Sequence, residues 1–195
     1  HAFSNPVEFG HSHKADIAAL VDVADLALLD FASARGSIAD ALGSTDAMQR
    51  YWGLIVCSCF RDQAAEFYDQ ARQIAAGDKD LLVRVRAAEF LALSGQDDPT
   101  AKIKACLKQA ESGVAANLIL NTAVLLRDGE PGYPIHITAD DVHPSALTAQ
   151  DVRRRLSYFA AEGGKVTDPQ GKNVIGSGAS GKKPKKQRKK KATGK

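Results

Sequence analysis

The chain is poor in aromatic residues and in cysteine. Its 195 residues are 6% aromatic, with one Trp and one Met. The three cysteines, Cys57, Cys59 and Cys106, are an odd set without the spacing of a disulfide framework, and all lie in apolar sequence of helical character. Because free cysteine is among the most buried residue types, we expect all three to be small core residues.

The sequence also lacks a signal-like segment and any apolar run long enough to cross a membrane. We therefore expect no membrane partner. The chain begins at His1 without a Met, which is typical of a cut sequence, so the lack of a targeting segment here does not argue against one. The residues themselves give no localisation. No Gly-rich phosphate loop follows a predicted strand, which argues against a nucleotide site of that type.

The formal charge of +3 hides two parts of opposite sign. From Lys165 onward there are eleven Lys or Arg residues and one acid, Asp168, so this tail is net +10. Residues 1–164 hold 15 basic and 22 acidic residues and are net −7. An argument about polyanion binding therefore belongs to the tail alone.

Three apolar segments recur at a near-regular spacing. They begin near Arg50, Val85 and Leu118, and each is apolar on nearly every side of a helix. A helix without a polar face has to be covered on several sides. The spacing predicts an all-α fold, a HEAT-like α-solenoid of about three helix pairs in which amphipathic outer helices alternate with these inner helices. On this interpretation Trp52 is among the most buried side chains.

The periodicity also divides the chain into segments. Helical spacing runs from Ile17 to Phe31, and a short helix is predicted from Ser37 to Gly43, while Asp62 is the predicted N-cap of the next helix. The predicted segments are an irregular 1–14, helical repeats in 15–130, a loop rich in Pro and Gly in 131–148, a capping helix in 149–162, and a disordered basic tail in 163–195.

Two sets of polar residues are candidates for a site, and each has a structural alternative. Asp140 and Asp141 lie near His143 and His136, which suggests a metal or acid–base cluster, but paired acids before a helix more often supply N-terminal charge. Asn117 and Asn121 share one face of an inner helix, where bonds to neighbouring backbone are the favoured interpretation over ligand binding.

Three motifs carry a resemblance to a known family. They are Arg50-Tyr51-Trp52-Gly53, the run from Val83 to Leu91 with Ala87-Ala88-Glu89, and the run from Ala115 to Ala123. In order and spacing they resemble the HEAT-like helical region that follows the catalytic domain in a group of bacterial sulfatases, enzymes similar to arylsulfatases and N-sulfoglucosamine sulfohydrolases. The resemblance covers about residues 17–130.

This resemblance implies that the whole gene product hydrolyses a sulfate ester, in the periplasm or outside the cell. Such enzymes use calcium and a formylglycine made from the first residue of C/S-x-P-x-R, in a domain that is absent from this chain. We therefore expect no catalytic residue, metal ligand or cofactor here, and no activity of this chain alone. Cys57-Ser58-Cys59-Phe60-Arg61 has Cys and Arg at the motif's separation, but Cys59 stands where Pro is required and the run is helical.

The sequence thus predicts a C-terminal accessory region that packs on a sulfatase catalytic domain in cis or shapes access to it. The alternative is a freestanding HEAT-repeat scaffold that binds a protein partner. A third hypothesis assigns an anchoring role to the tail, where eight cations fall within ten residues. They are Lys182, Lys183, Lys185, Lys186, Arg188, Lys189, Lys190 and Lys191.

An anionic polysaccharide is the expected partner of this tail. No aromatic residue is interleaved with the cations to stack on bases, which argues against sequence-specific reading of nucleic acid. A polycation instead binds a polyanion by releasing counterions, so its affinity falls steeply as salt rises.

We predict that the full chain is retained on a heparin column at low salt, whereas a version that ends at Gly164 flows through because it is net −7. The measurement is the salt concentration at which each protein elutes. Equal retention of the two would place the polyanion site on the folded part of the chain.

Overall fold

A computed structural model describes residues 5–160, and these residues are helical with no strand. The prediction of an all-α fold is therefore confirmed for this part of the chain, while the eight tail cations lie outside the described residues. The α-helices are α1 (Pro6–Ser12), α2 (Lys14–Asp25), α3 (Phe31–Gly43), α4 (Ala47–Phe60), α5 (Tyr68–Gly77), α6 (Leu81–Leu93), α7 (Thr100–Gln109), α8 (Gly113–Asp128) and α9 (Gln150–Ala160).

The N-terminal segment contains a helix that the sequence did not predict. Residues 1–14 were expected to be irregular, but Pro6–Ser12 is helical because Asn5 and Pro6 start it together. The Asn5 side chain accepts a hydrogen bond from the Glu8 N–H at 2.8 Å, and Pro is favoured in a first helical turn. Neither α1 nor α2 contains a fully buried residue.

The helix predicted from Ile17 to Phe31 is interrupted. It ends at Asp25, a 3₁₀ turn follows at Leu26–Leu28, and α3 begins at Phe31. The Asp30 carboxylate causes this restart, since it accepts a hydrogen bond from the Ser33 N–H at 3.0 Å and so caps α3. The short helix expected from Ser37 therefore starts six residues earlier.

The N-cap predicted at Asp62 is also wrong. Asp62 lies within a 3₁₀ segment, Arg61–Phe67, and its carboxylate accepts a hydrogen bond from the Tyr68 hydroxyl at 3.0 Å. Arg61 has φ of +50°, a backbone conformation that L-residues seldom adopt, and this reorients the chain where α4 ends. α5 starts only at Tyr68.

The three apolar segments form the row α4–α6–α8. α4 packs against α6, and α6 packs against α8. Tyr51 in the first half of α4 bonds to Arg86 in the first half of α6, and Glu89 bonds to Thr122 near matching positions of α6 and α8. The three helices therefore run in the same direction. Of the intervening helices, α3 packs on α4, α5 on α6, and α7 on both α6 and α8.

The core consists of two hydrophobic clusters that meet at α6. One contains Leu54 of α4 with Phe90 and Leu91 of α6, and the other contains Val85 of α6 with Ile119 of α8. Eight of the thirteen residues of α6 are buried. α6 is thus the central element of the described structure.

Trp52 is only partly buried, which corrects the sequence-based expectation. α4 is covered on the side of Gly53, where an added Cβ would come within 3.2 Å of Ala41 and Leu42 of α3, and on the side of Leu54, which is fully buried. Successive residues of a helix are about 100° apart, so Trp52 lies on neither of these two sides of α4.

An ion pair fixes the start of α4 to the turn between α5 and α6. The Arg50 guanidinium donates to both carboxylate oxygens of Asp78, at 2.7 and 2.9 Å, and to the Ser44 carbonyl at 2.8 Å. Although burial opposes it, the bond from Arg50 holds the pKa of Asp78 below its usual value. Arg50, the first residue of the Arg-Tyr-Trp motif, therefore has a structural role.

After α8 the chain passes through an irregular segment with 3₁₀ turns at Ala139–Asp141 and Ala146–Thr148 and then enters α9. α9 lies beside α8 and parallel to it, because Gly113 approaches Ala149 at one end and the Tyr158 hydroxyl donates to Asp128 at the other, at 2.8 Å. The last residues of the predicted capping helix, 161 and 162, lie outside the described residues.

We predict that Leu54→Ala lowers the free energy of unfolding by about 2–5 kcal/mol, the range for a leucine removed from a packed core. Leu54 is fully buried, whereas Leu125 of α8 is 48% exposed, so Leu125→Ala is the matched control and should cost less than about 1 kcal/mol. Urea unfolding of the parent chain and of the two variants measures both free-energy losses. Equal losses would contradict the assignment of Leu54 to the covered side of α4.

Candidate open face of the helix row

One side of the row α4–α6–α8 is turned away from α3, α5 and α7 and remains partly exposed. On α4 it carries Met48, Trp52, Ile55 and Cys59, whose spacing of 4, 3 and 4 residues places them on one face of a helix. All four are exposed or half-buried. We call this side of the row the open face.

α8 extends the open face with aliphatic and amide side chains. Val114 is 73% exposed and Leu125 is 48% exposed, and Leu118 between them is half-buried. Asn117 and Asn121 lie beside these residues, at a spacing that follows the same side of the helix. The face is therefore mainly apolar, with amide groups at intervals.

The two asparagines do not bond to neighbouring backbone, which was the favoured interpretation from sequence. Their Oδ1 atoms are enclosed and have no hydrogen-bond partner among the described residues. A buried acceptor without a partner costs about 1–3 kcal/mol. Each of the two amides therefore has an oxygen that the described residues leave without a partner.

A cleft of about 490 Å³ adjoins this part of the open face, where α8 and α9 begin side by side. Val114, Asn117 and Leu118 belong to both the cleft and the open face, and Gln150 and Asp151 of α9 form the opposite wall. The open face is thus continuous with a concave region, a shape that suits a projecting side chain of a partner.

Across the middle of the row runs a polar network. The Arg86 guanidinium donates to the Tyr51 hydroxyl at 2.7 Å and forms an ion pair with Glu89 on the same helix. The Thr122 hydroxyl donates to the Glu89 carboxylate at 3.3 Å. Because Tyr51 belongs to α4 and Thr122 to α8, the network joins all three helices.

Two aromatic rings, those of Tyr51 and Trp52, extend the Arg86 end of this network. The guanidinium carbon lies 4.9 Å from the centroid of the Tyr51 ring, a cation–π distance. The Trp52 ring meets that of Tyr51 edge-on, with centroids 6.3 Å apart. The Trp52 indole of the open face is therefore in edge contact with the ring that faces Arg86.

Burial controls the electrostatics of the network. Burial raises the pKa of Glu89, while the charge and hydrogen bonds of Arg86 and Thr122 act in the opposite direction. For Arg86, burial works against the charged form, but attraction to Glu89 and the bond to Tyr51 raise its pKa. The carboxyl of Glu89 is therefore easier to protonate in the folded protein than in the unfolded chain.

The cysteine prediction holds for two of the three residues. Cys57 and Cys106 are buried, and burial raises the pKa of the Cys57 thiol to about 12. Cys59 is exposed, contrary to expectation, because it lies on the open face four residues after Ile55. A buried thiol within α4 does not resemble an accessible modification site, so the spacing of Cys57 and Arg61 carries no such function here.

The acidic candidate near His143 is occupied by structural contacts. The Asp141 carboxylate accepts from the backbone N–H and hydroxyl of Thr138, and the Thr138 side chain accepts in return from the Asp141 backbone N–H, which completes a capping box. The same carboxylate pairs with Lys104 at 3.1 Å. Among residues 5–160, no three His, Cys, Asp or Glu side chains lie together in a metal-binding arrangement. Helix-end charge is therefore the role that the structure gives Asp141.

Comparisons with protein-family models, with curated proteins and with solved structures found no match for this chain. Within residues 5–160, no helix combines the length and the apolar character needed to cross a bilayer. The geometry of the open face is therefore the basis for a functional proposal.

We predict that Glu89→Gln changes how stability depends on pH. Because the folded pKa of Glu89 is raised above its usual value of about 4.5, the ionisation of Glu89 costs stability as pH rises above that value. The glutamine cannot ionise, so the unfolding free energy of the variant relative to the parent should increase with pH over that window.

Urea unfolding at a series of pH values, with Glu111→Gln as an exposed matched control, measures this difference. A relative stability of Glu89→Gln that falls as pH rises would contradict the prediction. It would mean that Arg86 outweighs burial and holds the carboxylate in its charged form.

Proposed function

We propose that the chain is a HEAT-like α-solenoid whose open face binds another protein domain. The pairs would be α3 with α4, α5 with α6, and α7 with α8. The support is the contact pattern, in which α4, α6 and α8 pack serially while the other helices pack mainly on this row. Short connections and parallel equivalent helices are typical of such repeats.

The observation that carries the binding role is the apolar character of the open face. Met48, Trp52, Leu118 and Leu125 remain partly exposed on helices that are otherwise buried. Exposed apolar patches of this kind mark interaction sites, and Trp is enriched among the residues that dominate binding energy. A partner that covers the face would bury these side chains.

We further propose that the partner is the catalytic domain of a sulfatase-like sulfuric ester hydrolase, joined in cis. The resemblance carried by the Arg50-Tyr51-Trp52-Gly53 motif and the helices around Glu89 and Asn121 supports this identity. On this proposal the catalytic domain supplies the formylglycine and the calcium ion, and the present chain shapes or stabilises it. The open face would then be an intramolecular interface.

A freestanding scaffold is the second candidate, because the open face fits a separate protein partner equally well. The upstream reading frame distinguishes the two. Several hundred residues with C/S-x-P-x-R before His1 would favour the accessory region, whereas a start codon at that place would favour the scaffold.

The only Trp of the chain makes a direct binding test feasible. We predict that adding the upstream catalytic polypeptide to this chain shifts the emission of Trp52 to shorter wavelength and protects it from acrylamide, because the indole becomes covered. Leu125→Glu should weaken this binding at least about tenfold, since it places a charge in an apolar contact.

Val7→Glu is the matched control, because Val7 is also exposed but lies on α1, away from the row. It should bind like the parent chain. Unchanged Trp52 emission at saturating partner, or equal loss of binding in both variants, would contradict a role for the open face.

A further inference from the structure

α2 carries an aliphatic surface that the rest of the described structure leaves partly uncovered. Ile17 is 38% exposed and Val21 is 49% exposed, although both lie in a helix that packs against α4. Leu20 and Val23 of the same helix are half-buried and lie on another side of it. The exposed surface belongs to α2 and is therefore not part of the open face, which α4, α6 and α8 form.

A charged side chain lies at each end of this surface. Lys14 is the first residue of α2 and Asp25 is the last, and both are exposed. Successive residues of a helix are about 100° apart, which places these two and the two aliphatic residues within about 80° of one another around the axis. No ion pair of the described residues includes Lys14 or Asp25. We call the four residues the α2 stripe: Lys14, Ile17, Val21 and Asp25.

The other two acids between the ends of α2 lie outside the stripe. Asp16 and Asp22 are each at least about 100° from its middle around the helix axis. A helix that packs along the stripe therefore meets a cation, two aliphatic side chains and an anion, in that order. Such a surface fits an occupant with the same three features in the opposite order.

A second copy of α2 that runs antiparallel has this opposite order. A two-fold axis between residues 19 and 20 sets Lys14 of each copy at the level of Asp25 of the other. The same axis brings Ile17 of each copy to within one residue of the level of Val21 of the other. A parallel pair would instead set Lys14 against Lys14 and Asp25 against Asp25, so the charges select the antiparallel arrangement. A two-fold interface requires this kind of self-complementary patch.

The residues next to the stripe agree with the same register. Leu28, in the 3₁₀ turn that follows α2, is 82% exposed. In the antiparallel pair it comes at about the level of Gly10 in α1 of the other copy. Nothing lies within 4 Å of the position that a Cβ of Gly10 would take, so this part of α1 leaves room for a leucine side chain.

We propose that two copies of this chain associate through the α2 stripe as an antiparallel, two-fold symmetric dimer. Two Lys14–Asp25 pairs join the copies, and Ile17 and Val21 form the apolar centre. Two short helices bury less than the roughly 1,200 Å² of a standard interface, so the dimer is weak, with a dissociation constant of about micromolar order or above. The open face takes no part in this contact, so a dimer presents two of them.

Sedimentation equilibrium of the full chain, from about 10 μM to 1 mM, measures this association. We expect a monomer–dimer equilibrium, which Val21→Glu should weaken at least about tenfold because it places a charge in the apolar centre. Val114→Glu is the matched control, since Val114 is 73% exposed on the open face, and it should dimerise like the parent. A parent chain that stays monomeric over this range would overturn the proposal. So would a dimer that Val114→Glu weakens and Val21→Glu does not, because its interface would be the open face.

Exchange of the two charges tests the register. Lys14→Asp and Asp25→Lys each set like charges opposite one another at two places, so each should weaken the dimer about tenfold. Both changes suit the helix dipole, so neither should unfold α2. An equimolar mixture of the two single variants restores both opposite-charge pairs and should associate like the parent.

The variant with both exchanges should also recover the parent dissociation constant within about threefold. Within one chain residues 14 and 25 are about 16 Å apart along the helix, so this recovery can come only from contact between copies. A double variant as weak as the single variants, or a mixture that does not associate, would overturn the antiparallel arrangement.

Discussion

The burial of α6 is the constraint on which the rest of the described structure depends. α6 is in contact with α4, α5, α7 and α8, so a charged side chain within it has little access to water. Arg86 and Glu89 must therefore pair inside the protein, and removal of one partner from a buried pair typically costs about 3–5 kcal/mol. Their remaining bonds go to Tyr51 and Thr122, so the same requirement sets the positions of α4 and α8 along α6.

This arrangement explains why the open face is apolar. Each helix of the row needs apolar side chains toward the adjacent helices of the row and toward the outer helices. Only a narrow side of each helix then remains in contact with solvent. In α4 that side carries Met48, Trp52 and Ile55 where solvent alone would favour polar residues. The binding role that we propose supplies a reason for apolar residues on a partly exposed side.

Much of the helical arrangement could be predicted from the sequence. The apolar segments that begin near Arg50, Val85 and Leu118 lie within α4, α6 and α8. The wrong predictions of helix bounds came from N-cap residues that were not recognised. Asp30 starts α3 through Ser33, a signal present in the sequence, but the apolar periodicity from Ile17 to Phe31 continues across the break and conceals it.

The candidate site was less predictable, because periodicity does not show which side of an apolar helix will be left uncovered. Trp52 was predicted to be buried because it lies in an apolar helix, and Cys59 because of its residue type, but both lie on the open face. The unpaired amides of Asn117 and Asn121 are a property of three-dimensional surroundings, which a spacing of four residues does not reveal. The polar network was likewise hidden, since Tyr51, Arg86 and Thr122 are far apart in sequence.

The absence of buried residues in α1 and α2 has a consequence for local stability. The free energy needed to open a part of a protein depends on the apolar contacts that it loses, and these two helices lose none that are fully buried. The main contact of these two helices with the rest of the described structure is that of α2 with α4, so we expect them to open at a lower free-energy cost than α6. Their amide protons should then exchange on a shorter timescale than those of α6.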